Sequence, residues 1–147
     1  MSSIKIQKGK RIGSIDYGRK RIGFAVSDEM LITVSAKEIF YTDDENFKDK
    51  LLNLIKHYDL SALVVGLPIR LDNVDTELIL EIKQFAEELK TQLNIPVFFQ
   101  DESFSSKSAT ETMIRIGKRK KFRSKKEEID KIAACIILRD FIEENIK

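Results

Sequence analysis

Ile12-Gly13-Ser14-Ile15-Asp16-Tyr17-Gly18-Arg19-Lys20-Arg21-Ile22-Gly23-Phe24-Ala25-Val26-Ser27 reads as two short strands joined by a tight polar turn. The apolar runs 12–15 and 22–27 supply the strands, and residues 16–20 supply the turn, with Gly18 as its permissive position. Gly13 and Gly23 sit inside the strands, where a missing side chain lets another chain or a ligand approach closely. A third, less regular strand is expected over 32–41. Residues 42–45 (Thr-Asp-Asp-Glu) then open a helix in which Phe47, Leu51, Leu54, Ile55 and Tyr58 share one face.

Further along, residues 62–66 (Ala-Leu-Val-Val-Gly) form a short, almost wholly apolar strand suited to burial on both sides. Asp72 or Asn73 caps a second helix with an apolar stripe of Leu78, Ile82, Phe85, Leu89 and Leu93. A strand is expected at 97–99, and a shorter helix over 105–116, closed by Gly117. Ser124 and Glu127 form a capping box for the last helix, which carries Ile129, Ile132, Ala133, Ile136, Ile137 and Phe141. The expected order is β-β-β-α-β-α-β-α-α. It implies an α/β fold with a mixed central sheet flanked by helices, as one domain over residues 1–147.

A hydrophobic content of 42% with 34% charged residues describes a globular chain rather than a disordered one. Uninterrupted apolar stretches are only a few residues long, so no membrane span is expected. The first residues lack the apolar core of a secretory signal, and a single cysteine excludes an internal disulfide; the expected location is cytoplasmic. Cys135 lies among Ala133, Ala134, Ile136 and Ile137 and reads as core. With one cysteine and one histidine, His57, there is neither a zinc cluster nor a Cys/His dyad.

The formal charge of +2 conceals an asymmetry. Residues 118–126 (Lys-Arg-Lys-Lys-Phe-Arg-Ser-Lys-Lys) hold seven cations in nine positions, leaving the rest of the chain at −5. Lys118, Arg119, Lys120, Lys121 and Arg123 are therefore candidates for contact with a polyanion, a nucleic acid above all. A solvated loop is the plainer alternative. Phe122 suits stacking on a base or a small core anchor equally well. Gly18, Arg19, Lys20 and Arg21 form a second candidate phosphate-binding element.

Three acids then stand out. Asp16 closes the first strand, Glu102 follows the strand at 97–99, and Asp130 lies on the second turn of the last helix beside Ala133, Ala134 and Ile137. Acids in such places are costly unless a cation compensates them, and converging carboxylates holding Mg²⁺ or Mn²⁺ are a working arrangement for phosphodiester hydrolysis. Each also has a structural reading: an Asx turn for Asp16, a helix N-terminus for Asp101-Glu102, and a structural partner such as a lysine for Asp130. Alternation along a strand sends Asp101 and Glu102 to opposite faces, so one of the two reaches such a site, and Glu102 is preferred.

Four blocks in order carry a resemblance: Asp16-Tyr-Gly-Arg-Lys-Arg-Ile-Gly-Phe-Ala-Val-Ser-Asp28, Val64-Val-Gly-Leu-Pro68, Asp101-Glu102, and Asp130-Lys-Ile-Ala-Ala134. Together they resemble the YqgF (RuvX) family from about Arg11 onward. The resemblance implies an RNase H-like fold and a metal-dependent nuclease, with Asp16, Glu102 and Asp130 as the catalytic, metal-holding acids. It implies a structured nucleic-acid substrate: the precursor of small-subunit ribosomal RNA or, alternatively, a Holliday junction in DNA. Two departures accompany it, Ser103 where the family often has arginine, and Asp72-Asn73 where it often has Asp-Gly. Ser103 gives some support to a non-catalytic RNA- or protein-binding factor on the same fold. A monomer or a homodimer is compatible with the sequence, the dimer being what cutting two strands of a junction requires.

Overall fold

Strands β1 (Ile12–Tyr17) and β2 (Arg21–Ser27) form the expected hairpin, in the register Gly13↔Val26 through Tyr17↔Ile22. The structure, a computed structural model, describes residues 9–68, 76–101 and 125–146. The helix expected at 105–116, the caps at Asp72, Asn73 and Ser124, and the basic positions Lys118, Arg119, Lys120, Lys121 and Arg123 lie outside the described residues, as do Glu102 and Ser103.

β1 is two residues longer than its apolar run suggests. Pairing continues through Asp16↔Gly23 and Tyr17↔Ile22, so Asp16 belongs to the ladder and the turn begins at Gly18. There the Gly18 N–H donates to the Arg21 carbonyl at 2.9 Å. A Cβ on Gly18 would lie 2.7 Å from that carbonyl oxygen, so the turn requires glycine for space.

Strand β3 (Val34–Tyr41) pairs antiparallel with β2. Their connection is ordered by Asp28, whose Oδ1 accepts the N–H groups of Ile32 and Thr33 at 2.7 and 3.0 Å. The bonds from Thr33 and Ile32 hold the Asp28 carboxyl below its ordinary range. The stabilisation they give is present above the unfolded carboxyl pKa and is lost as pH falls through the lowered folded value.

Helix α1 (Phe47–Tyr58) buries Leu51 and Ile55, strand β4 (Ala62–Leu67) is buried along all six residues, and helix α2 (Thr76–Leu93) buries Ile82, Phe85, Ala86 and Leu89. Strand β5 (Val97–Asp101) extends two residues beyond the expected 97–99, and helix α3 (Lys125–Asn145) follows. The sheet order is β3-β2-β1-β4-β5, with β1–β4 and β4–β5 parallel. β4 is thus apolar throughout because helices cover both faces of a mixed sheet.

Alternation assigns the faces. Ile15, Ile22, Phe24, Leu63 and Val65 pack with α1 and α2, whereas Ile12, Ala25, Ala62 and Val64 pack with Ala134, Ile137, Leu138 and Phe141 of α3. Full burial of a residue such as Phe24 or Phe141 contributes roughly 1.5–3 kcal/mol. Phe98 stacks on Phe141 with centroids 5.5 Å apart, which fixes the even-numbered positions of β5 on the α3 face.

Two details set α3 close to the sheet. The buried Ser14 hydroxyl donates to the Ala134 carbonyl at 2.6 Å. A Cβ at Gly23 would stand 2.8 Å from the Asp130 carbonyl oxygen and 3.5 Å from the Ala134 Cβ. Gly23→Ala is expected to destabilise the fold by about 1–3 kcal/mol, since the obstruction is helix backbone. Urea unfolding of the two proteins measures this; equal midpoints would show that α3 does not depend on the gap.

Candidate active site

The close seat of α3 determines where the acids go. Asp16 is the ladder partner of Gly23, and directly opposed residues of an antiparallel pair project to the same face. That face is the one α3 covers, as the bond from Ser14, two residues earlier, independently shows. Asp130 lies on α3 with its carbonyl over Gly23. Asp16 and Asp130 are therefore brought to one side of the hairpin, both partly buried.

Asp130 has an ionic partner in the described structure. The Arg21 Nε donates to its Oδ2 at 2.7 Å, with both side chains about one-quarter exposed (24% and 23%). The structural partner expected for Asp130, a residue such as a lysine, is instead an arginine on β2. Residues 21, 23 and 25 share a face by alternation, so the sequence did carry a signal that Arg21 reaches the helix covering Gly23 and Ala25. The partner itself, 109 residues away, was not legible.

Other cations of the turn are placed differently. Arg19 Nε pairs with Glu81 Oε2 on α2 at 3.3 Å, on the half-exposed surface. Lys20 is exposed, and its carbonyl accepts the Thr42 N–H at 3.0 Å. The Gly18 amide serves the turn itself.

On β5, alternation separates the side chains of Gln100 and Asp101. Gln100 is buried and donates to the Glu144 carboxylate of α3. Asp101, next along the strand, projects to the opposite face, away from the side that Asp16 and Asp130 share. Among the described residues no group of three His, Cys, Asp or Glu side chains is placed to hold a metal ion. Asp16 and Asp130 nonetheless offer hard carboxylate oxygens, the donor type that suits Mg²⁺ or Mn²⁺.

Comparison with known proteins adds to this geometry. Residues 10–144 match the family described as "RuvX: Holliday junction resolvase". The chain belongs to the RuvX family. A Sulfurihydrogenibium sp. (strain YO3AOP1) relative is 38% identical over 135 residues, covering 90% of each chain. One from Dictyoglomus turgidum is 36% identical over 134 residues, covering 90% of this chain and 94% of its own. Both carry the name "Putative pre-16S rRNA nuclease".

Among solved structures, Thermus thermophilus RuvC in complex with a Holliday junction substrate aligns with TM-score 0.57 at 13% identity, covering 92% of this chain and 95% of its own. The yeast mitochondrial Holliday junction resolvase Ydc2 aligns with TM-score 0.52 at 10% identity, covering 95% and 86%. At such identities the likeness concerns the fold. The α/β, RNase H-like architecture implied by the RuvX resemblance is the one observed.

Two other titratable groups take structural roles. His57 is exposed at the end of α1, its ring edge-on to Tyr58 at 5.1 Å. Burial pushes the Cys135 thiol up to about 11, so on the order of one thiol in a thousand is ionised at pH 8. Among the described residues no helix is long and apolar enough to cross a membrane. Cys135 is expected to react with a disulfide reagent at pH 8 far more slowly in native protein than in urea. Equally fast labelling in both states would contradict its half-buried position against the core beneath α3.

Proposed function

We propose that the protein is a metal-dependent nuclease acting on structured nucleic acid, with the precursor of 16S ribosomal RNA as its substrate. The observation that carries this reading is the convergence of Asp16 and Asp130 on one face, enforced by the seat of α3 at Gly23. Membership of the RuvX family and the names of the relatives support the nuclease class and the RNA substrate. In this reading the metal is Mg²⁺ or Mn²⁺, and Asp16, Glu102 and Asp130 hold it. That assignment prefers Glu102 to Asp101 because Asp101 projects to the other face of the sheet.

When bound, such an ion supplies Lewis-acid polarisation of the phosphate and a low-pKa water. The chain's own residues do the positioning. Asp16, locked in a central ladder, is a rigid ligand, and Asp130 is set by the helix that Ser14 holds. Arg19, Lys20 and Arg21, with Gly18 shaping their turn, lie immediately beyond the Asp16 end of β1 and act on the phosphate backbone. Lys118, Arg119, Lys120, Lys121 and Arg123 extend this contact. In sequence their run ends at Lys126, within the first turn of α3 and about 6 Å of helix rise before Asp130.

The family description and the fold shared with RuvC favour a second reading, cleavage of a Holliday junction. It requires a homodimer, whereas RNA processing works with a monomer.

Asp16→Asn and Asp130→Asn are each expected to lower metal-dependent cleavage of a precursor 16S fragment by more than the ~10–100-fold typical of losing a ligand's outer-shell support. The assay uses Mg²⁺ or Mn²⁺, a chelator control, and a four-way DNA junction alongside. Cleavage that survives both substitutions would remove the acids from the mechanism; cleavage of the junction alone would replace the RNA substrate. Neutralising three cations of the 118–123 run is expected to weaken nucleic-acid binding and flatten its log–log salt dependence by about 2–3 units. An unchanged slope would place that run outside the interface.

A further inference from the structure

The Arg21–Asp130 pair occupies the same carboxylate that the proposed function needs for a metal, and the inference drawn from it rests on that reading. Arg21 opens β2 and shares its face with Gly23. Asp16 is Gly23's ladder partner, so Arg21 is its diagonal neighbour on that face, about 7–8 Å away between Cα atoms. The Arg21 guanidinium bonds the Asp130 carboxylate at 2.7 Å, on the face to which Asp16 also belongs. Because position 23 has no side chain, nothing on β2 separates Arg21 from the helix.

We propose that Arg21 is the counter-cation of the metal-free site, and that it passes from Asp130 to a phosphate of the nucleic acid when a divalent cation binds. The physical argument is one of charge. Two partly buried carboxylates drawn together by backbone packing repel one another, and a fixed cation relieves that repulsion. A divalent ion at Asp130 replaces the relief and repels the guanidinium. The phosphodiester arriving at the same place offers the oxygens that Arg pairs with most readily.

Metal and guanidinium then compete for Asp130 in the absence of nucleic acid, and phosphate removes the competition. Metal and substrate consequently bind with positive coupling. Until a cation arrives, the guanidinium offsets the repulsion between the two acids.

Calorimetric titration of Mn²⁺ into the full-length protein, without nucleic acid, tests this. Arg21→Gln is expected to tighten Mn²⁺ binding by roughly 5-fold or more, while Arg21→Lys, which keeps the charge, remains near the parent value. The same Gln variant loses the tightening of Mn²⁺ binding that a four-way DNA junction or precursor 16S fragment gives the parent. Unchanged or weaker Mn²⁺ binding by Arg21→Gln would overturn the proposal and leave Arg21 as a fixed support for Asp130.

Should Arg21→Gln not fold, the Arg21 Nε–H resonance of the parent protein gives the answer. Addition of Mg²⁺ with oligonucleotide is expected to shift it away from its carboxylate-bonded position, and an unmoved resonance overturns the exchange. Failure of the nuclease reading has a different signature: the parent would bind no Mn²⁺, or Asp130→Asn would bind it equally well.

Discussion

Helix α3 lies against the hairpin at backbone distance, and the arrangement of the site depends on that one approach. Gly23 vacates the space that the Asp130 carbonyl fills, and Ser14 bonds the next turn of the helix through Ala134. A side chain at position 23 would lift the helix and take Asp130 away from Asp16. The same contact seats Ile137, Leu138 and Phe141 over Ile12, Ala62 and Val64, so core packing and acid placement are a single constraint. A protein built this way cannot shift Asp130 without loosening the core layer beneath α3.

The electrostatics follow from the packing. Backbone contact brings Asp16 and Asp130 to one partly buried face, where Arg21 supplies a positive charge to Asp130. Exposed ion pairs contribute little, but this one is about three-quarters shielded and joins elements 109 residues apart in sequence. Its stabilisation is therefore expected to exceed that of the half-exposed Arg19–Glu81 pair. The cations of the turn at Arg19, Lys20 and Arg21 adjoin Asp16, an arrangement that suits a polyanion whose phosphate approaches the carboxylates.

Much of this was legible in the chain. Hydrophobic period gave the hairpin, α1 and β4 close to their observed bounds, because each buries a regular stripe or an unbroken apolar run. Strand ends were less legible. Tyr17 and Asp101 extend β1 and β5 because a neighbouring strand offers ladder partners at Ile22 and Leu67, and the polar character of Asp16 and Gln100 disguised that continuation. Asp16 is consequently a ladder residue and not an Asx-turn residue. The glycine at 23 suggested a close approach, but only the fold shows that the approaching element is the helix carrying Asp130. Glu102 and the basic run lie outside the described residues, so their part in the site stands on sequence and on resemblance.

The central claim is that Asp16 and Asp130 are two ligands of one divalent cation. Anomalous diffraction from crystals grown with Mn²⁺ tests it directly. A peak between the two carboxylates, within coordination distance of an oxygen of each, is expected. Mn²⁺ bound elsewhere, or a site empty at saturating Mn²⁺ with Arg21 still on Asp130, would contradict it.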